Sequence, residues 1–284
     1  MPPTNSPTLR QRRLGAELRK LRERAGLTAT GAAELLGVNQ ARISMIETGR
    51  TPISADRLRS MAHVYDCTDE ALVEALAAMT GRRARGWWEE YREHVPVALV
   101  DLAELEHHAS ALRVALVIHI PALLQTTDHA RALFQSAAPP MRQYEIEHRL
   151  THRMKRQSVL YRADPPPYTA IIHETALRMN FGGPAVARDQ LKHLLDMSEL
   201  PHVTVRVIPF GAERFPTTGQ PFDYVEGPVP QLDTVQLDSH HGACEFIDAE
   251  AQLNKYRAVL NRMESCALDA ARTRDFIHRR IQEL

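Results

Sequence analysis

Between residues 9 and 65 apolar positions recur every three or four residues, in short runs that glycine or proline interrupts. This period predicts helices and no strand. Leu14, Leu18 and Leu21 share one face while Arg12, Arg13, Arg19 and Lys20 take the others, so an amphipathic helix is expected to end at Gly26. Thr28 can cap a second helix over residues 28–36, and Gly37 supplies a turn at positive φ, where a Cβ would clash. Asn39 caps a third helix that stops at Gly49. Pro52 and Ser54 introduce a fourth, with Leu58, Met61, Ala62 and Tyr65 inward, and residues 70–79 give a fifth. Further on, helical patterns at 100–113, 141–160, 184–199 and 249–284 alternate with β-branched runs. Those runs are AIIH at 170–173, VTVRVI at 203–208, and weaker ones at 222–225, 234–237 and 244–247. A mixed sheet covered by helices is the simplest arrangement for them.

The GRRARGWW stretch marks a change of composition between these two patterns. The expected organisation is an all-α head of five helices over residues 1–80, a hinge at 81–94, and a mixed α/β domain over 95–284. This is an α+β chain of two domains, which its 284 residues accommodate. Lys and Arg balance Asp and Glu at 35 each, yet the first 63 residues hold 11 basic against 5 acidic side chains. The head therefore suits a polyanionic partner and the remainder a different one. Three cysteines, Cys67, Cys244 and Cys266, form neither a CxxC pair nor an even set, so no disulfide framework is expected and a reducing cytoplasm fits. The longest apolar stretch, 114–124, is broken by His119 and Pro121 and is shorter than the roughly 20 residues of a membrane span. The first residues lack the apolar core of a signal peptide.

Two helices that cross at a steep angle need a small residue where backbones touch, a permissive residue at the turn and apolar residues closing the corner. Ala33, Gly37 and the set Ala32, Leu36, Val38, Ile43 and Ile46 meet those demands. With these residues in place, the segment LRKLRERAGLTATGAAELLGVNQARISMIETGRTPIS resembles the lambda-repressor-like, Xre-type helix-turn-helix family over residues 9–66. The resemblance implies a DNA-binding head, and a pairing of Arg22 on the first helix with Glu47 near the end of the third. In such a head the third helix enters the major groove with its N-terminal residues on base edges. By position these are Asn39, Gln40, Ala41, Arg42, Ser44 and Met45. Gln40 suits adenine, Arg42 suits guanine or a phosphate, and Ala41 or Met45 suits a thymine methyl, while Asn39 also serves as the cap. Phosphates would be held by the amides at Thr28 and Ala29 and by Arg50. Arg10, Arg12 and Arg13 could add a phosphate-binding arm, but the preferred reading of the three is a solvated basic face. Such heads act as dimers on half-sites of an operator, so a homodimer is expected, joined through the second domain.

In the second domain, LEHHASALR, IPALLQTTDHARAL, HRMKRQSVL, HETALR, QLKHLL and VTVRVIPF are similar to the uncharacterised domain that follows Xre-type heads in regulators of GC-rich bacteria. The resemblance implies a regulator, and as the alternative an antitoxin-like protein that binds a small cognate partner protein and autoregulates its operon. Arg153, Arg156 and Gln157 share a helix face, and Glu174 with Arg178 forms an i, i+4 pair at a strand-to-helix corner. These five are candidates for an effector or partner pocket, or equally for an ion-pair network joining helices to the sheet. His240, His241 and Cys244 lack the spacing of a metal site, and no cofactor is expected. No phosphate loop, nucleophile elbow or H-E-x-x-H is present, so the expected mechanism is binding and not catalysis.

Overall fold

A computed structural model describes residues 6–80, 86–213, 215–216, 220–238 and 244–284. By its internal contacts the chain divides into one unit of Met1–Gly86 with Pro228–Leu232 and another of Trp87–Gly227 with Asp233–Leu284. The first unit holds five helices, α1 (Leu9–Arg24), α2 (Ala29–Leu35), α3 (Gln40–Glu47), α4 (Ala55–Val64) and α5 (Glu70–Ala77). Each is started by a side chain that accepts an otherwise unused backbone N–H: Thr8, Thr28, Asn39, Ser54 and Asp69. Gly26, Gly37 and Gly49 follow α1, α2 and α3 at φ values of 71°, 64° and 72°, which side chains with a Cβ rarely adopt. Leu18, Ile43, Leu58, Met61, Leu72 and Leu76 fill the core between the helices.

The second unit is a six-stranded mixed sheet with helices on both faces. Its strands are β1 (Ala111–Leu116), β2 (Tyr168–His173), β3 (Val203–Ile208), β4 (Phe222–Glu226), β5 (Thr234–Asp238) and β6 (Cys244–Ile247), in the order β3-β2-β1-β4-β5-β6. The first three are parallel, and the crossovers between them carry helices, as parallel strands require. The first crossover contains α7 (Thr127–Gln135) and α8 (Gln143–Arg156), the second α9 (Glu174–Arg178) and α10 (Pro184–Met197). The last three strands pair antiparallel, β4 beside β1. One sheet face packs Leu112, Val114, Ala170, Ile172, Val205 and Val207 under α10 and α12 (Ala270–Gln282). The other packs Ala115, Ile171, Phe222, Tyr224 and Val235 under α11 (Glu250–Cys266). No helix among the described residues is long and apolar enough to cross a membrane.

Two sequence expectations are corrected here, and a third is only partly described. The helix expected over 100–113 stops earlier, as α6 (Val97–His107), and its tail becomes β1, the strand on which both halves of the sheet pair. ALRVAL is apolar at nearly every position, and a short run buried on both sides does not reveal its period. The helix expected over 249–284 is two, broken at residues 267–269 where Asp269 caps α12. The hinge expected at 81–94 has residues 81–85 outside the described part, while Trp87–Tyr91 forms a 3-10 turn whose Trp88 is buried against Val95, Val100 and Ala103.

Candidate functional site

In the first unit α3 presents two different faces. Ile43 and Ile46 are buried, whereas Gln40, Ala41, Arg42, Ser44 and Met45 are exposed. The buried pair fixes the helix to the core, so the other face is held towards solvent without being covered. Asn39 accepts the Arg42 N–H at 2.8 Å and Thr28 accepts the Gly31 N–H at 3.0 Å, so both caps are in use. At the far end Arg22 grips Glu47 with two parallel bonds of 2.6 and 2.9 Å and donates a third to the Leu27 carbonyl at 2.7 Å. Both side chains are buried, and Glu47 holds the Arg22 guanidinium above its ordinary value against the cost of burial. Tyr65 lies beside this pair, and its hydroxyl is pushed up to about 12 by burial and by Glu47. Arg50 is exposed just beyond the helix. Arg13 is not part of a solvated face: it is buried, with Glu17 at 3.5 Å, while Arg12 and Arg10 bond the carbonyls of Pro7 and Ala78.

One residue of this site was missed from sequence. Gly15, inside α1, faces the end of α3 so closely that a Cβ there would sit 2.4 Å from the Glu47 carbonyl oxygen. The expected small residue, Ala33, is buried too, but the backbone approach that seats α3 is made at Gly15. A glycine costs about 1 kcal/mol relative to alanine in a helix interior, and that penalty was the available signal.

In the second unit Arg153 and Gln157 bond the turn of residues 120–125, Arg156 pairs instead with Glu106, and Glu174 and Arg178 do not join them. Arg156 binds Glu106 of α6 by two bonds of 2.8 and 2.6 Å, and both are almost fully buried. Burial disfavours the guanidinium charge, but Glu106 outweighs it and holds the group above its ordinary value. Gln157 donates to the Gln125 carbonyl at 2.7 Å, and Arg153 donates to the Gln125 side chain at 2.7 Å. Gln190 on α10 also bonds the turn, to the Leu124 carbonyl and the Thr126 N–H, both at 2.7 Å. Glu174 instead accepts from Arg178 at 2.6 Å and from the Phe210 N–H at 2.8 Å. A small cavity between Arg156, Glu106, Tyr168 and Asp223 has room on the scale of one water. Sequence reasoning missed Glu106, Gln125, Gln190 and Asp223, which meet only through long-range packing. His240 and His241 lie outside the described residues; among the latter no three His, Cys, Asp or Glu side chains converge as a metal site.

Titration of this cluster gives a testable pH dependence. Burial, with the charges of Arg156 and Arg153, pushes His152 down to about 3. Burial, with His119 and Arg153, pushes His129 down to about 4. Both rings bind protons more readily unfolded, so their contribution to stability is complete above about 6.5 and is lost as pH falls towards those values. Asp223 has the opposite sign. Burial, Asp238 and Glu106 push it up to about 7, so its contribution is complete at acid pH and is lost as pH rises through 7. Urea unfolding of the second unit is expected to become easier from pH 6.5 to 4.5, less steeply in His152→Phe and more steeply in Asp223→Asn. A His152→Phe chain that kept the parent's slope would rule out this ring as a source.

A model described as a helix-turn-helix domain matches residues 13–76, which span α1 to α5. With its exposed third helix, the first unit therefore carries a helix-turn-helix domain, an arrangement that supports DNA binding by a regulator. A second model, described as a domain of unknown function (DUF5753), matches residues 99–279, more than half of the chain, and the chain belongs to that family. Comparison with curated proteins and with solved structures gave no match.

Proposed function

We propose that the protein is an Xre-type regulator that binds an operator as a homodimer, reads bases through α3, and is modulated by its second unit without catalysing a reaction. The observation that carries this reading is the solvent-facing side of α3, where Gln40, Ala41, Arg42, Ser44 and Met45 are exposed over buried Ile43 and Ile46. An amide, a guanidinium and small or apolar groups on one helix offer the donors, acceptors and methyl contacts that major-groove edges require. Arg50 supplies a phosphate contact. One head alone covers too little sequence for a specific address, which is why two heads on half-sites about 34–36 Å apart are part of the proposal.

The test is a duplex selected from random sequence by the full chain, followed by gel shifts across a salt series. Gln40→Ala and Arg42→Ala are each expected to lose about 1–3 kcal/mol of discrimination for the selected site, roughly 5- to 150-fold. Arg50→Ala is expected to weaken selected and random duplexes alike, and to reduce the slope of log affinity against log salt by about 0.9. Unchanged preference in both Gln40→Ala and Arg42→Ala would remove α3 as the reader. Sedimentation of the free chain tests the homodimer.

A further inference from the structure

Arg153 is a part-buried cation of the second unit, and among the described residues it has no acidic partner. The ion pairs near it join other side chains: Arg156 to Glu106, Arg131 to Glu147, and Lys155 to Glu90. Arg153 makes one hydrogen bond among the described residues, from Nη1 to Gln125 Oε1 at 2.7 Å. That leaves most of the five guanidinium N–H groups unspent. The group is nonetheless held in place. Gln125 cannot turn, because its own Nε2 donates to the Ile120 carbonyl at 2.6 Å, and the guanidinium carbon stacks 4.3 Å from the centre of the Phe134 ring. Burial and the nearby charge of Arg156 both work against its positive charge, and Asp238 only partly offsets them.

A second group, on α7 and within reach of the Arg153 charge, is also unsatisfied. His129 is 2% exposed, and neither ring nitrogen has a hydrogen-bond partner. The charge of Arg153 reaches this ring and that of His119, and helps to keep both neutral. A neutral imidazole carries one N–H, which here lacks an acceptor. A fixed cation without a counter-charge and a buried donor without an acceptor call for the same complement, an oxygen-bearing anion.

We propose that Arg153 and His129 receive the oxyanion of a small effector, a carboxylate or a phosphate group, with Gln125 and Phe134 as positioning residues. The proposal rests on reading the second unit as the modulating domain, and it names the chemistry of what that domain senses. Arg153 supplies charge and a planar pair of donors, and His129 supplies a single neutral donor. The arrangement sacrifices stability in the free protein, since a cation without a partner disfavours the folded state until the anion arrives.

The experiment titrates the full chain with sodium acetate and, separately, with inorganic phosphate at constant ionic strength, following thermal unfolding and heat of binding. At least one probe is expected to raise Tm saturably, as a ligand of the folded state does. In Arg153→Gln the shift disappears or needs at least tenfold more probe, while Tm without probe stays the same or rises. His129→Phe keeps the fold and weakens binding about tenfold, and Lys192→Gln, which removes an exposed charge from α10, leaves it unchanged. Saturation by acetate alone assigns a carboxylate, and by phosphate alone a phosphate group. The proposal is overturned if neither probe gives a saturable shift, if Arg153→Gln retains the parent's shift, or if Arg153→Gln lowers Tm without probe, which is the mark of a structural role. Because no DNA is involved, a chain that binds the anion but no operator overturns the regulator reading alone, and one that binds an operator but neither anion overturns this proposal alone.

Discussion

Gly15→Ala is expected to destabilise the first unit and to abolish DNA binding, although the substitution improves helix propensity. Alanine favours the interior of α1 by about 1 kcal/mol over glycine. Against this, the new Cβ would lie 2.4 Å from the Glu47 oxygen and 2.6 Å from that of Ile46. Both atoms are backbone, so relief comes only from moving the end of α3, and forced overpacking of this kind costs about 1–3 kcal/mol or more. The clash wins because it acts on the same turn that carries Glu47 and its bonds to Arg22. Gly31→Ala is the internal control. Its Cβ would meet only the Thr28 hydroxyl at 3.4 Å, an ordinary contact, so the same change is expected to raise stability by up to about 1 kcal/mol. Circular dichroism on heating and gel shifts measure both. A Gly15→Ala chain as stable as its parent, with full DNA affinity, would show that α1 and α3 are free to separate.

The second large effect is expected at Glu106. Replacing it by Gln leaves Arg156 buried and charged without its bidentate partner, and breaking such a pair from one side costs about 3–5 kcal/mol. Asp223 would recover part of the loss, since its charge already acts on Arg156. Removing both charges together, as Glu106→Leu with Arg156→Met, is expected to restore most of the parent's stability or exceed it, because neither member of the pair is then left as an unpaired buried ion. Urea unfolding of the single and double variants reads the difference. If the double variant is no more stable than Glu106→Gln, the pair is not the source of the loss. The contrast with Arg153 is direct: Arg156 sits in a closed pair and carries a folding role, whereas Arg153 on the same helix has donors left for a ligand.

The head was largely legible in the sequence because its signals are local. Caps lie three residues from the amides they serve, the turn glycines lie directly after the helices they end, and the apolar stripe repeats within each helix. The exposed side of α3 follows from the same arithmetic, once Ile43 and Ile46 are assigned to the core. Gly15 escaped because its reason for being glycine lies more than thirty residues further on, in the carbonyls of Ile46 and Glu47. Five of the six strands also stood out, as β-branched runs between turn residues. β1 did not, since a strand covered on both faces shows a continuous apolar run that a helix can equally show.

By itself the sequence determined the two kinds of architecture, the basic character of the first part and the residues that face outward on the third helix, because each depends on periodicity and capping within a few residues. Only the tertiary structure decided which charges are satisfied. Glu106 and Arg156 are fifty residues apart, and their pairing, the locking of Gln125 by Ile120 and Arg153, and the isolation of His129 arise where α6, α7 and α8 come together. Electrostatic complementarity depends on distance in space and on the loss of water, and neither is written in the spacing of residues along the chain.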